Sequence, residues 1–152
     1  MTLQVEHLTA GAARHQALLL ARRGFDAYIA ADYGPVGTAT FHAFLDDESA
    51  TAQLQMYGAF AGGQLVGMLA LRGAHIALFF TAVGRCQSGI GRQLFGAVCR
   101  QTGLRRFTVH ASPCGLAAYH RLGFVATGSE QCTDGMRYTP MCWSAPVRSH
   151  SS

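Results

Sequence analysis

Two stretches of this sequence carry residues whose types and spacing suit a definite chemistry. In the first, His75 to Phe95, the apolar run Ile76-Ala77-Leu78-Phe79-Phe80 leads through a short polar stretch into Gly89-Ile90-Gly91-Arg92. A strand entering a helix through a loop leaves the helix's first N–H groups without internal partners. Two glycines let a ligand approach those groups closely, and the helix dipole favours an anion there. Ser88 adds a hydroxyl and Arg92 a guanidinium, so a pyrophosphate would satisfy the set. A Rossmann dinucleotide site would need a third glycine where Leu94 stands and an acid about 20 residues on, and no acid follows until Glu130. A tight turn with no ligand is the plain structural alternative. The second stretch, Ala111 to Phe124, places Tyr119 late in a short helix that Leu122-Gly123-Phe124 ends.

Charge narrows the chemistry further. All 12 basic side chains are arginine, and none of the 8 acids lies between Glu48 and Glu130. Without lysine there is no Schiff-base chemistry and no Walker A site. Without central acids there is no paired-carboxylate hydrolysis in that segment. The pI is about 9.0, yet the arginines form no run longer than a pair. A small polyanion therefore explains the charge better than nucleic acid. The cysteines, Cys86, Cys99, Cys114, Cys132 and Cys142, form no CxxC pair and read as reduced thiols of a cytoplasmic protein. The histidines show no HxxxH or HExxH spacing, so no metal is expected. No apolar run is long enough to span a membrane, and the first residues do not read as a signal peptide.

The elements that must position these residues follow from periodicity. At 49% apolar and 13% charged, the chain is expected to fold as one domain over residues 1–145, with a disordered tail over 146–152. Leu3 and Val5 suggest a first strand. Thr9 is expected to cap a helix that runs to about Ala30. Asp32-Tyr33-Gly34-Pro35 is turn chemistry before a shorter helix over Pro35–Leu45, and Asp46-Asp47-Glu48 reads as a solvated loop. Gln53–Ala61 and Leu65–Arg72 flank Gly62-Gly63 as a hairpin. His75–Ala82 is a buried strand, Gly89–Thr102 a helix ended by Gly103, and Arg106–His110 a further strand. Ser112 and Pro113 should open a helix that stops at Gly123. Phe124–Thr127 and Met136–Trp143 should pair around Asp134-Gly135.

Together these segments resemble the GNAT superfamily of acetyl-CoA-dependent N-acetyltransferases. The resemblance rests on Phe79-Phe80-Thr81 at the strand end and on Cys86-Gln87-Ser88-Gly89-Ile90-Gly91 against the family's Q/R-x-x-G-x-G/A loop. It rests also on Ser112, Gly115, Ala118, Tyr119, Gly123 and Phe124 against N-x-x-A-x-x-F-Y-x-x-x-G-F, and on the final Asp134–Met141 segment. The order of motifs extends it from Leu3 to Trp143. Departures are Cys86 at the loop's first position, Ser112 for asparagine and Gly115 for alanine.

The resemblance implies an α+β fold: a single mixed, mostly antiparallel sheet flanked by helices, with a splayed parallel strand pair at its centre. It implies direct transfer of an acetyl group from acetyl-CoA to a primary amine of a small molecule or peptide. The pantetheine would pair with Phe80, Thr81 and Ala82, and the pyrophosphate with Gln87, Ser88, Gly89, Ile90, Gly91 and Arg92, with Ser112 alongside. Tyr119 matches the family's general acid for the leaving thiolate. Relatives often use a carboxylate base, which this segment lacks. His75 is the nearest titratable candidate, and Glu48, Asp32 or a water relay remain open. A Cys114 acyl relay has no base to support it. The acceptor pocket is expected around Phe25, Tyr28, Tyr33, Phe41 and Arg137. Homodimerisation, common among such domains, stays open. The alternative function is a catalytically weak acyl-CoA-binding or regulatory module on the same fold.

Overall fold

The computed structural model describes residues 2–85 and 89–146. Expectations for Cys86, Gln87, Ser88 and the tail from residue 147 lie outside the described residues. The elements in chain order are β1 (Gln4–Leu8), α1 (Gly11–Tyr28), α2 (Ala30–Asp46), α3 (Glu48–Ala52), β2 (Gln55–Ala61), β3 (Gln64–Arg72) and β4 (His75–Thr81). They continue with α4 (Ile90–Thr102), β5 (Arg106–Ala111), α5 (Leu116–Leu122), β6 (Val125–Ala126), β7 (Gln131–Thr133) and β8 (Met136–Ser144).

The strands form one mixed sheet in the order β1-β2-β3-β4-β5-β8-β6, with β7 paired to β8. Every pairing is antiparallel except β4 with β5. Gly62 and Gly63, at φ 57° and 82°, make the two-residue turn whose twist suits the β2–β3 hairpin. β3 is buried along nearly its whole length, as a central strand covered on both faces must be. On one face α1 and the end of α2 bury Ala17, Leu20, Ala21 and Leu45 against Met56, Met68 and Leu78. On the other, Ile90, Leu94, Phe95 and Val98 of α4 pack on Leu69, Phe107 and Val109. Phe95 gathers Phe107, Phe124 and Trp143 around it at ring-centroid distances of 5.4, 5.4 and 5.1 Å. Burying each fully enclosed aromatic contributes about 1.5–3 kcal/mol, and this cluster ties β5, β8 and the end of α5 to α4.

Several boundaries differ from expectation for local reasons. Ala10, not Thr9, holds the N-cap position of α1 and offers no side-chain bond. Asp46-Asp47-Glu48 is no loop: Asp47 caps α3 by accepting from the Ala50 N–H at 3.0 Å. The expected turn lies inside α2, where Gly34 (φ 69°, ψ −175°) breaks the helix and Pro35 restarts it. Ser112 does not cap α5. It closes a turn by accepting the Gly115 N–H on its hydroxyl at 3.1 Å, and the helix begins only at Leu116. The final hairpin is β7–β8, through Asp134 (φ 51°) and Gly135 (φ 80°). The strand expected over Phe124–Thr127 shrinks to the two residues of β6, paired at the middle of β8.

Candidate active site

The site begins with a defect in the sheet. β4 and β5 pair only at His75↔Thr108 and Ile76↔Val109. On its other edge β4 pairs Ile76 with Leu71 and Leu78 with Ala70, which leaves Ala77 as an extra residue. Such a bulge bends the strand that carries it. It falls immediately after the last parallel pair, so β4 turns away from β5 there. The resulting cavity, about 1130 Å³, is lined by Ile76–Thr81 on one side and by Val109, His110 and Ser112 on the other.

The bent strand leaves backbone groups open along the gap. The Ala82 N–H donates to the Val66 carbonyl at 2.8 Å. Antiparallel ladders alternate, so Phe80, opposite Met68, also turns its backbone to β3. The groups open to the gap are those of Phe79 and Thr81, rather than the Phe80 and Ala82 donors expected from the sequence.

Beyond β4, Gly89 adopts φ 80° and its carbonyl accepts from Gln93 N–H at 3.1 Å. The amides of Ile90, Gly91 and Arg92 precede that first helical bond and have no intrahelical partner. Gly89, Gly91 and Arg92 line the cavity. Ile90 offers only its amide, because its side chain is fully buried in the α4 core. Gly67 makes this seating possible: a Cβ there would lie 3.0 Å from Ile90 Cγ2.

Tyr119 lines the same cavity from α5, half-buried, edge-on to Phe79 and Phe124 at 6.0 and 5.2 Å. Burial pushes its phenol well above the usual 10, and the nearby Tyr33 phenol adds to the rise. Its hydroxyl has no hydrogen bond among the described residues. Ser112, Gly115 and Cys114 lie beside it on the cavity wall.

The α1–α2 face of the cavity is aromatic. Phe25 stacks on Phe41 at 4.0 Å and 5°, and Phe41 meets Phe80 edge-on at 6.0 Å. Gly24 gives Phe80 its room, since a Cβ there would stand 2.8 Å from Phe80 Cδ1. Tyr28 and Tyr33 line the cavity too; the Tyr28 hydroxyl accepts from Gly84 N–H at 2.9 Å. Arg137 does not reach the lining. It pairs with Glu130 at 3.3 Å on the outside of the hairpin, while its neighbours Met136 and Tyr138 face in.

His75, expected from its place at the start of β4, stands with neighbours not expected beside it. His75 Nδ1 lies 2.9 Å from Thr108 Oγ1, and its ring meets His110 edge-on at 4.8 Å. Burial first, then His110 and Arg72, lower its pKa to about 4. His110 stacks on Tyr138 at 4.2 Å and is lowered by burial and by Arg72. Both imidazoles are therefore neutral at neutral pH. The signal for His110 was present in the alternation: Phe107, Val109 and Ala111 face the α4 core, so Thr108 and His110 face the opposite side. Arg72, the last residue of β3, gave no such signal.

The sequence model of the acetyltransferase (GNAT) domain family matches residues 29–145. The chain belongs to that family, whose class of chemistry is acyl transfer. Solved structures share its fold. One is the GCN5-related N-acetyltransferase, described as aminotransferase, class-II, from Rhodopseudomonas palustris, with TM-score 0.80 and 20% identity over 95% of this chain and 96% of that one. Another is the PaiA N-acetyltransferase of Thermoplasma acidophilum in complex with coenzyme A, with TM-score 0.68 and 16% identity over 95% and 99%. A third is apo YjaB of Escherichia coli, with TM-score 0.71 and 16% identity over 96% and 100%. No curated protein matches the chain. No group of His, Cys, Asp or Glu suited to a metal occurs among the described residues, and no helix there is long and apolar enough to cross a membrane.

Proposed function

We propose that this protein is an N-acetyltransferase that moves an acetyl group from acetyl-CoA directly to a primary amine of a small molecule or peptide. The observation that carries the reading is the position of Tyr119. It stands in one cavity with the open backbone of Phe79 and Thr81 and the free amides that begin α4. Pantetheine would add to the open edge of β4 as a strand adds to a sheet. The pyrophosphate would take the amides from Gly89 to Arg92 and the Arg92 guanidinium. A relative of the same fold was solved with coenzyme A bound, which supports this donor.

The amine nitrogen attacks the thioester carbonyl, the C–N bond forms and the C–S bond breaks. The oxyanion is met by a gap-facing backbone N–H of β4. The proton lost by nitrogen passes to a neutral imidazole, and the thiolate takes one from Tyr119. The raised phenol pKa keeps that proton in place until sulfur needs it. His75 and His110 both stand ready as acceptors, because neither is charged at neutral pH. Phe25, Tyr28 and Tyr33 would line the acceptor side.

The test is Tyr119→Phe, followed by release of CoA thiol with an amine panel and by acetyl-CoA binding. Turnover should collapse while binding persists. Unchanged turnover, with chemistry rate-limiting, removes Tyr119 from the mechanism. A protein that binds acetyl-CoA and acetylates no amine is instead an acyl-CoA-binding module.

A further inference from the structure

The charges around the cavity are one-sided. Among its described lining residues are three guanidiniums, Arg72, Arg92 and Arg121, and not one Asp or Glu. Arg92 and Arg121 belong to α4 and α5, on the side where the phosphates would sit. Arg72 is elsewhere: it pairs in register with His75 at the start of β4. From there to Thr81 the strand advances six residues, roughly 20 Å at about 3.3 Å each. A guanidinium that far along the strand cannot serve a pyrophosphate held at the N-terminus of α4. None of the ion pairs among the described residues uses Arg72. The same cavity is lined by Phe25, Phe41, Phe80 and Met136, which give it an apolar and aromatic part.

We infer that the acceptor is an amine that also carries a carboxylate, held by Arg72, with an apolar body and no second cationic group. This rests on the acetyl-transfer reading above and adds the charge class of its substrate. A fork of guanidinium donors matches a carboxylate in shape and charge. A polyamine or amino sugar would bring several ammonium groups beside the Arg72 guanidinium, into a cavity with no Asp or Glu among its described lining residues. Two imidazoles next to Arg72, neutral at rest, complete the arrangement: one takes the proton of the attacking amine and becomes an imidazolium, whose charge a bound carboxylate offsets.

The experiment compares three acceptors at equal concentration: phenylalanine, phenylalaninamide and spermidine. Initial rates of CoA thiol release are read for the wild type, Arg72→Gln and Arg72→Lys. The wild type should favour phenylalanine over its amide by about tenfold or more, the scale of one charge-assisted bond, and should leave spermidine unused. In Arg72→Gln the preference should fall towards one, and Arg72→Lys should restore part of it. Equal or faster turnover of the amide or of spermidine overturns the inference and leaves the transferase reading standing. So does a preference that Arg72→Gln leaves intact. Acetyl-CoA binding without transfer to any of the three, or to a wider amine panel, overturns both together.

Discussion

The proposed donor and acceptor sides of the cavity are built differently. The donor side is made of short, contiguous pieces. Gly89, the first turn of α4 and the turn from Ser112 to Gly115 each depend on residues a few positions apart. The acceptor side is assembled from distant segments. α2 reaches it by laying Gly37 against Gly135 and by donating the Thr40 hydroxyl to the Asp134 carbonyl at 2.9 Å, a contact across 94 residues. A Cβ on Gly135 would sit 2.5 Å from the Gly37 nitrogen, so backbone meets backbone with no side chain between. These donor-side turns are set locally, although the seat of Ile90 also needs Gly67 of β3, whereas the proposed acceptor side includes a close backbone crossing between α2 and the last hairpin.

The comparison can be broken from either side. The largest effect is expected at Tyr119→Phe, where loss of a general acid should lower kcat by about 10²–10⁴ while acetyl-CoA affinity, measured by calorimetry, stays near wild type. Gly37→Ala attacks the crossing. Its methyl would overlap the Gly135 carbonyl, and overpacking of this kind costs about 1–3 kcal/mol. Thermal denaturation should show that loss, and steady-state kinetics should show a raised acceptor KM with acetyl-CoA binding retained. An equal loss of both affinities would mean that the two sides are not independent.

Arg92→Gln should weaken acetyl-CoA by about tenfold, as loss of one charge-assisted contact does, and should flatten the salt dependence of that affinity. The acceptor KM should hardly move.

The smallest effect is one of pH. The folded pKa of His75 is about 4, below its unfolded value of about 6.5. The unfolded chain therefore binds the extra proton between these limits. His75 thus lowers stability as pH falls from about 6.5 to about 4, and has no such effect above 6.5. Melting temperatures across that range should drop more steeply in the wild type than in His75→Gln. Parallel profiles would show that the environment of His75, set by Thr108, His110 and Arg72, does not hold it neutral.

Local signals made much of the donor side legible. Gly103 and Gly123 end α4 and α5 with φ of 69° and 103°, a left-handed conformation that glycine adopts most easily. Gly62-Gly63 likewise announced its turn. Where signals were weak, boundaries moved: Thr9 looked like a cap, but the helix starts one residue later, and Ser112 proved to close a turn. Arg137 is expected in the acceptor pocket from its place in the last hairpin. Strand alternation sends it the other way, to Glu130.

From its residues alone this chain determined its order of elements, α3 and β7 apart, its arginine-rich, carboxylate-free centre and the phenol at Tyr119. Each depends on composition or on neighbours within one turn of helix or one hairpin. Only the tertiary structure decided which backbone groups of β4 lie open, that Arg72 joins His75, and that Gly37 meets Gly135. Those depend on a one-residue bulge at Ala77 and on contacts between segments far apart in the chain, and neither leaves a periodic trace in the sequence.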